Sequence, residues 1–477
     1  MNTARKIAKN TVALTAASLV NIVIGFFFTM YVARYLGVQG YGVLSFAIAI
    51  TSIFAIFTDI GLNKLAIREV ARDRFLAGKY LGNLAVLKLI LCVASFGLIA
   101  LTVNLMHYPD QTIYVVYLVA LSVVVNAFNS TFYSIFQAHE RMEFVSAGQI
   151  LTAILQLAVA IMAVSKGLSI IVIASSYLLA SVITLGYSAV TSILKFSRPS
   201  LQIDFSFWKE TLKEAWPFGL GMMFASIYYW MSSVMLSWLK GDEVVGLYSA
   251  AYKPALLFQF FPVAYSAAVF PVMSKFHSSS GESLRFTFEK SIKFMIIVAV
   301  PIGIGMTLLA GKIISLVFGS QFYQSIIALQ ILSWSAVFIF ISLIFAQLFG
   351  ALGKQATLAK VNGISALVNI GLNLSLIPKF SYVGASVATV VTEFAALAIL
   401  YVLSFRMGYG ISAMTLMATT AKVLFAGIIM GVFVFFLQNV TLWALVPFAT
   451  MLYFATLYLV RGIDKEDTLL LRQTVAR

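Results

Sequence analysis

The sequence predicts an all-α integral membrane protein with about fourteen transmembrane helices, and three observations carry that prediction. Apolar blocks of spanning length follow one another from Val12 to Val460. Hydrophobic residues make up 61% of the 477 positions and charged residues only 10%, against about 25% in a soluble domain. The basic residues, finally, are sorted between alternate loops, as the positive-inside rule demands of a polytopic chain.

Charge clusters and Gly/Pro turns divide the chain into spans Val12–Val32, Tyr41–Asn63, Leu81–Met106, Thr112–Phe136, Phe144–Val164, Ile170–Leu194, Ala215–Leu239 and Val244–Val272. The series continues with Phe294–Ala310, Ile326–Phe349, Thr357–Ile377, Gly384–Phe405, Met414–Leu437 and Leu442–Val460. Arg5, Lys6 and Lys9 resemble the start of a signal peptide. The apolar stretch behind them is long enough to span and lacks a clear cleavage site, so it reads as a retained first helix. Of the 32 Lys and Arg residues, Lys88, Lys253, Lys360 and Lys422 fall within spans. Arg34, Lys166, Lys240, Lys312 and Lys379 lie on the side opposite the N-terminus, and the other 23 lie on the N-terminal side. That asymmetry predicts a cytoplasmic membrane protein with both termini in the cytoplasm.

A repeat organises the spans. Residues Leu36 to Ala47, joining spans 1 and 2, have a counterpart in Leu239 to Ala250, joining spans 7 and 8. Arg141 and Lys166 around span 5 likewise match Lys354 and Lys379 around span 11. This predicts a duplicated six-helix unit in parallel orientation. The lobes are 1–195 and 215–406, with an amphipathic cytoplasmic linker at 196–214 and two additional helices and a tail at 407–477.

Composition and motifs narrow the chemistry. A net charge of +15 is spread over short loops and never forms a stripe on a soluble face, so no nucleic-acid partner is expected. Cys92 is the only cysteine, and His107, His139 and His277 fall in three different loops, so neither a metal site nor a Ser-His pair is expected. There is no P-loop, no Asp-x-Asp pair in an outer loop and no loop long enough for a catalytic domain; neither enzyme activity nor a cofactor is expected.

Charge within a span is costly, so depth sorts the remaining candidates. Lys253 lies ~14 Å inside span 8, and Glu393 is at a similar depth in span 12. Lys253 is a candidate for binding an anionic substrate or for a buried pair with Glu393, itself a candidate cation or proton site. Lys88 lies ~10 Å from the inner end of span 3, Asp59 lies within two turns of an inner end, and Arg34 ends span 1. Tyr229, Trp230 and Tyr252 flank Lys253, where aromatic faces suit sugar rings or plain packing. Asn126, Asn129, Asn369 and Asn373 suit either a polar cavity or interhelical hydrogen bonds.

Several stretches resemble a known family: Ala33-Arg34-Tyr35-Leu36-Gly37 with Gly40-Tyr41-Gly42, then Asp59-Ile60-Gly61-Leu62 followed by Arg68-Glu69. Gly246 through Lys253, Phe318-Gly319 and Gly384-Ala385-Ser386 continue the pattern. They resemble the polysaccharide transporter (O-antigen flippase-like) family of the multidrug/oligosaccharidyl-lipid/polysaccharide exporter superfamily. The resemblance covers nearly the whole chain. It implies two six-helix lobes around a cavity, two extra helices, and translocation of a polyprenyl-linked oligosaccharide to the outer leaflet by ion-coupled alternating access. Its implied partners are that glycan, membrane lipid and the glycan polymerase or glycosyltransferase machinery, with the chain acting as a monomer. Lys253, Arg34, Lys88, Tyr229, Trp230 and Tyr252 are then the substrate-binding candidates, and Glu393 and Asp59 the ion-coupling ones. Similar lipid II flippases hold the diphosphate with basic residues in helices 1, 2 and 8; Lys253 fits the last, while spans 1 and 2 offer only Arg34. The alternatives are a cation-coupled multidrug exporter and a membrane glycan polymerase or glycosyltransferase.

Overall fold

The computed structural model describes residues 3–200 and 203–463, among which no strand occurs. The helices of the first half are α1 (Thr3–Phe54), α2 (Leu62–Arg72), α3 (Ala77–Leu105), α4 (Asp110–Ala138), α5 (Met142–Ser165), α6 (Ile170–Lys195) and α7 (Phe205–Lys240). Those of the second half are α8 (Asp242–Leu257), α9 (Phe260–Ser279), α10 (Gly281–Val317), α11 (Ser325–Ala351), α12 (Gln355–Ser404), α13 (Ala413–Phe436) and α14 (Leu442–Leu459). The chain forms two compact units, Met1–Ser249 with Asn362–Tyr382, and Ala250–Val361 with Val383–Arg477.

Among the described residues, eleven helices are long and apolar enough to cross a membrane, or twelve when α8 and α9, bent by 41°, count as one crossing. The difference from the expected fourteen lies in two long elements, Ala17–Thr58 of 42 residues and Gln355–Tyr409 of 55 residues. Each contains two sequence-derived spans. At 1.5 Å per residue the two elements run ~63 Å and ~83 Å, two to nearly three times what a ~30 Å hydrocarbon core requires. Where the sequence suggests an outer loop at 33–40, the chain turns on one non-helical residue, Gly37 (φ 69°), and α12 turns in the same way at Ser381 (φ 54°). Gly37 adopts a backbone conformation that a Cβ disfavours.

Three further boundaries differ from the sequence reading. Span 2 stops short of Asn63, because the helix gives way to a 3₁₀ turn over Ala55–Thr58 and breaks at Ile60 (φ 45°) and Gly61 (φ 87°). Span 8 is divided between α8 and α9. Pro254 lies inside α8, where its missing N–H and its ring loosen the last turns. The linker helix is no separate element either: α7 runs unbroken from Phe205 to Lys240, so surface segment and span 7 form one rod.

In the N-terminal unit the repeated turns pack on each other. A Cβ on Gly42 would fall 1.8 Å from the Asp242 carbonyl oxygen, and one on Gly246 would fall 2.1 Å from that of Val38. Both partner pairs, 42 with 246 and 38 with 242, are 204 residues apart. The contact is therefore reciprocal, as two copies related by a local two-fold would make it. The Asp242 carboxylate accepts hydrogen bonds from Ser237 Oγ and Thr112 Oγ1 (3.1 Å), and with Glu243 it places acid at the positive end of α8.

The cytoplasm-directed end of the same unit, in the predicted orientation, is built around α2 and the linker. Leu62, Leu65, Ala66 and Val70 of α2 join Tyr80, Leu81, Leu84, Trp208 and Ala215 in one buried cluster. The linker follows α3 so closely that a Cβ on Gly82 would lie 1.7 Å from the Ser200 carbonyl oxygen. Asn83 Oδ1 accepts hydrogen bonds from the Asp204 backbone N–H (3.0 Å) and from Trp208 Nε1 (3.1 Å). Lys79 pairs with Asp204 at 3.1 Å, and Arg68 with Glu214.

The C-terminal unit has its own core on α10, α11, α13 and α14, including Phe288, Phe340, Phe345, Val423 and Tyr453. Gly427 and Gly431, one turn apart on α13, let that helix approach Ile304 and Leu308 of α10 closely. Tyr453 Oη donates to the Ile297 carbonyl at 2.8 Å, docking α14 on α10.

Candidate functional site

The helix break at Asp59-Ile60-Gly61 creates a polar interior point in the N-terminal unit. Helix interruption frees carbonyls that must find donors. Ser95 Oγ donates to the Phe54 carbonyl at 2.9 Å, and Ser226 Oγ to that of Ser52 at 2.9 Å. Gly61, in the left-handed region, starts α2, and the Asn63 backbone N–H donates to Asp59 Oδ1 at 3.2 Å.

Into this break α3 projects Lys88. Its ammonium lies 3.0 Å from Asp59 Oδ1 and donates to Asn63 Oδ1 (2.8 Å) and the Ala127 carbonyl (3.1 Å). Three donors meet three acceptors. Asn63 Nδ2 donates onward to Ser130 Oγ (2.8 Å), whose hydroxyl returns to the Ala127 carbonyl (2.8 Å) and closes the ring. The Lys88 side chain is 0% exposed and that of Asp59 16% exposed, so the aspartate is the member that water can reach. Two residues that the sequence assigned to different tasks are thus one ion pair. Asp59 turns inward to meet Lys88.

The other amides chiefly join helices. Asn126 Nδ2 donates to Ser181 Oγ (2.8 Å) and Asn129 Nδ2 to the Ser181 carbonyl (3.1 Å), tying α4 to α6. Asn373 Nδ2 donates to Ser232 Oγ (3.0 Å), tying α12 to α7. Arg34 is exposed on the last turn before Gly37. Tyr229 is 37% exposed, with its ring 4.7 Å edge-on from that of Trp230.

In the C-terminal unit Lys253 contrasts with Lys88. It is exposed, although it lies on α8 between buried Tyr252 and half-buried Pro254. Glu393 is 7% exposed on the second half of α12, in a stretch where Thr389 and Thr392 are also buried. Asp59 and Lys88 are the predicted site residues from different assignments that this geometry joins. Sequence reading missed Asn63 and Ser130. The signal for the first was the Asp-x-Gly spacing of Asp59 and Gly61, a turn signature inside an apolar block.

A family model described as polysaccharide biosynthesis protein matches residues 7–277, more than half of the chain. The chain belongs to the polysaccharide biosynthesis protein family. A second model, described as MatE, matches residues 217–374 of this family member. Among curated relatives, a probable low-salt glycan biosynthesis flippase of Haloferax volcanii is 25% identical over 390 residues, 80% of each chain. Among solved structures, a lipid II flippase superposes with a TM-score of 0.76 at 18% identity, covering 96% of this chain and 99% of the other. A multidrug resistance transporter superposes with a TM-score of 0.71 at 15% identity, covering 83% and 98%. The fold of this multi-pass membrane protein is therefore shared with transporters of both kinds.

Proposed function

We propose that the chain is a flippase, a transporter and not an enzyme, which moves a polyprenyl-linked oligosaccharide from the cytoplasmic to the outer leaflet of the cytoplasmic membrane. Family membership and the relative's description support the class of cargo. The observation that carries the mechanism is the accessible Lys253. A lysine ~14 Å along an apolar span would be costly against lipid, so an accessible one belongs to an aqueous cavity, where its charge suits a diphosphate. Tyr252, Tyr229, Trp230 and Arg34 are the accompanying substrate contacts in this reading. Both termini face the cytoplasm, the glycan polymerase and glycosyltransferase machinery supplies and consumes the cargo, and a single chain suffices for transport.

Coupling to an ion gradient is assigned to the two acids. Asp59 exchanges Lys88 for an incoming cation or proton at its water-facing edge, and Glu393 is the second acceptor. Lys88 acts through that exchange and does not touch the glycan.

The test is export in cells that depend on this protein for surface polysaccharide. Lys253→Ala is expected to abolish surface glycan while lipid-linked oligosaccharide accumulates on the cytoplasmic leaflet, and Lys253→Arg to retain part of the export. Wild-type export by Lys253→Ala would remove that residue from the site. Absence of any accumulated lipid-linked precursor in the null strain would remove the flippase reading itself. The MatE match favours one other reading, a cation-coupled drug exporter, which requires the null strain to gain drug sensitivity with its surface glycan intact.

A further inference from the structure

The C-terminal unit holds a second cationic feature, separate from Lys253. A cavity of about 340 Å³ is lined by Lys293 of α10, by Met414, Ala418 and Lys422 of α13, and by Arg461 just beyond α14. Three basic side chains thus meet at one notch, and no carboxylate is among its lining residues within the described part of the chain. Lys422 Nζ donates to the Arg461 carbonyl at 3.0 Å, which fixes the end of α14 against α13 and uses one of the ammonium's three donors. The first turn of α13 lies beside the notch, and its N-cap residue, Ser412, makes no side-chain capping bond. The positive end of that helix therefore adds to the three side chains.

The depth suits a lipid. Lys422 is eight residues, ~12 Å, inside the span that begins at Met414, and Arg461 follows the last residue of α14 by two positions. Met414 is 82% exposed at the rim, where it can meet an acyl chain. This is the boundary of the hydrocarbon core, on the face that the loop charges assign to the cytoplasm. Basic pockets between helices at this level match phosphate headgroups in charge and depth.

We infer that the notch formed by Lys293, Lys422 and Arg461 binds the phosphate headgroup of a lipid in the cytoplasmic leaflet. The phosphate chemistry is common to a bulk anionic phospholipid and to a polyprenyl phosphate. Both enter laterally, with their tails left in the bilayer along the lipid-facing side of α13. The site needs neither Lys253 nor transport, so it stands or falls separately from the flippase reading.

The test is lipid binding to the purified full-length protein, read by native mass spectrometry. Phosphatidylglycerol, phosphatidylcholine and undecaprenyl phosphate are titrated separately and in competition. Wild type is expected to retain phosphatidylglycerol or undecaprenyl phosphate in preference to phosphatidylcholine; the winner of the competition identifies the source, and either winner supports the site. Replacing Lys293, Lys422 and Arg461 together by Gln is expected to weaken binding roughly a hundredfold at low salt. The same replacement at Lys64, Arg74 and Lys209 is expected to leave it within about twofold, since charges outside the notch contribute only to the screened long-range field. Ala418→Trp, which fills the notch but keeps its charges, is expected to abolish the preference, and it remains informative if the triple variant does not fold. Wild-type binding by Ala418→Trp, equal losses from the two triple replacements, or no preference over phosphatidylcholine would each overturn the inference.

Discussion

Two lysines lie deep in apolar helices of this protein, and the chain treats them in opposite ways. Lys88 is sealed, with every ammonium donor met by Asp59, Asn63 and the Ala127 carbonyl, whereas Lys253 is left accessible. A buried ion pair contributes little net stability, because desolvation offsets the attraction, but removing one partner strands the other charge. Water can reach an accessible lysine, and so can replace the contacts that are lost when it is removed. The contrast separates a residue that holds the fold from one accessible to a ligand, and it holds only if the two respond differently to the same substitution.

The largest effect is expected at Lys88. Lys88→Ala should cost about 3–5 kcal/mol by leaving Asp59 unpaired, read as a drop in thermal unfolding temperature of the purified protein. Lys253→Ala should change stability by less than about 1 kcal/mol, because water can reach the contacts it leaves, while abolishing export. The double replacement Lys88→Met with Asp59→Leu, which removes both charges and keeps volume, should recover most of the lost stability. It should not recover ion-coupled transport. A Lys253→Ala protein as unstable as Lys88→Ala would collapse the distinction.

How much of this was legible in sequence depends on the range of the interaction. Helix content, span positions and loop charge follow from hydropathy and charge patterning, which are local properties. Asp59 and Lys88 were legible as costly residues, but their pairing joins positions 29 residues apart at a helix break that hydropathy passes over, because Ile60, Gly61 and Leu62 continue the apolar run. The kinks at Gly37 and Ser381 were hidden for a related reason. One residue with positive φ turns a chain that a polar loop would normally turn. Gly42 and Gly246 were legible as members of a repeat, but their reciprocal packing was not, since close backbone approach leaves no mark beyond the glycine itself.

An intermediate case lies where the linker packs on α3, and Asn83 is fully buried but neutral. Its carbonyl oxygen takes both the Asp204 N–H and the Trp208 indole N–H, so Asn83→Ala strands two donors and no charge. The expected cost is about 1–3 kcal/mol, below that of Lys88→Ala because neutral groups are cheaper to leave unpaired. Faster hydrogen exchange over residues 203–212, with the α10 to α14 core unchanged, would place that loss in the linker. A cost equal to that of Lys88→Ala would mean that burial alone, and not charge, sets the penalty.

The smallest effect is expected at Asp204, an exposed charge in the same network. The Phe207 backbone N–H, followed by Lys79, holds its carboxyl below the usual carboxylate range. Because the folded value lies below that of the unfolded chain, the stabilisation is fully present above the unfolded carboxylate's pKa. It is lost as the pH falls through the folded value. Hydrogen exchange at the start of α7 should therefore be independent of pH, once corrected for intrinsic rates, from neutrality down to the ordinary carboxylate range, and should accelerate only in more acidic buffer. Asp204→Asn retains the acceptor that caps α7 but cannot titrate, so its exchange should show no acid-linked step, and raising salt should weaken the Lys79 contribution in wild type alone. An acid-linked step that persists in Asp204→Asn would assign the transition to another carboxylate and leave Asp204 as a cap whose charge contributes nothing measurable.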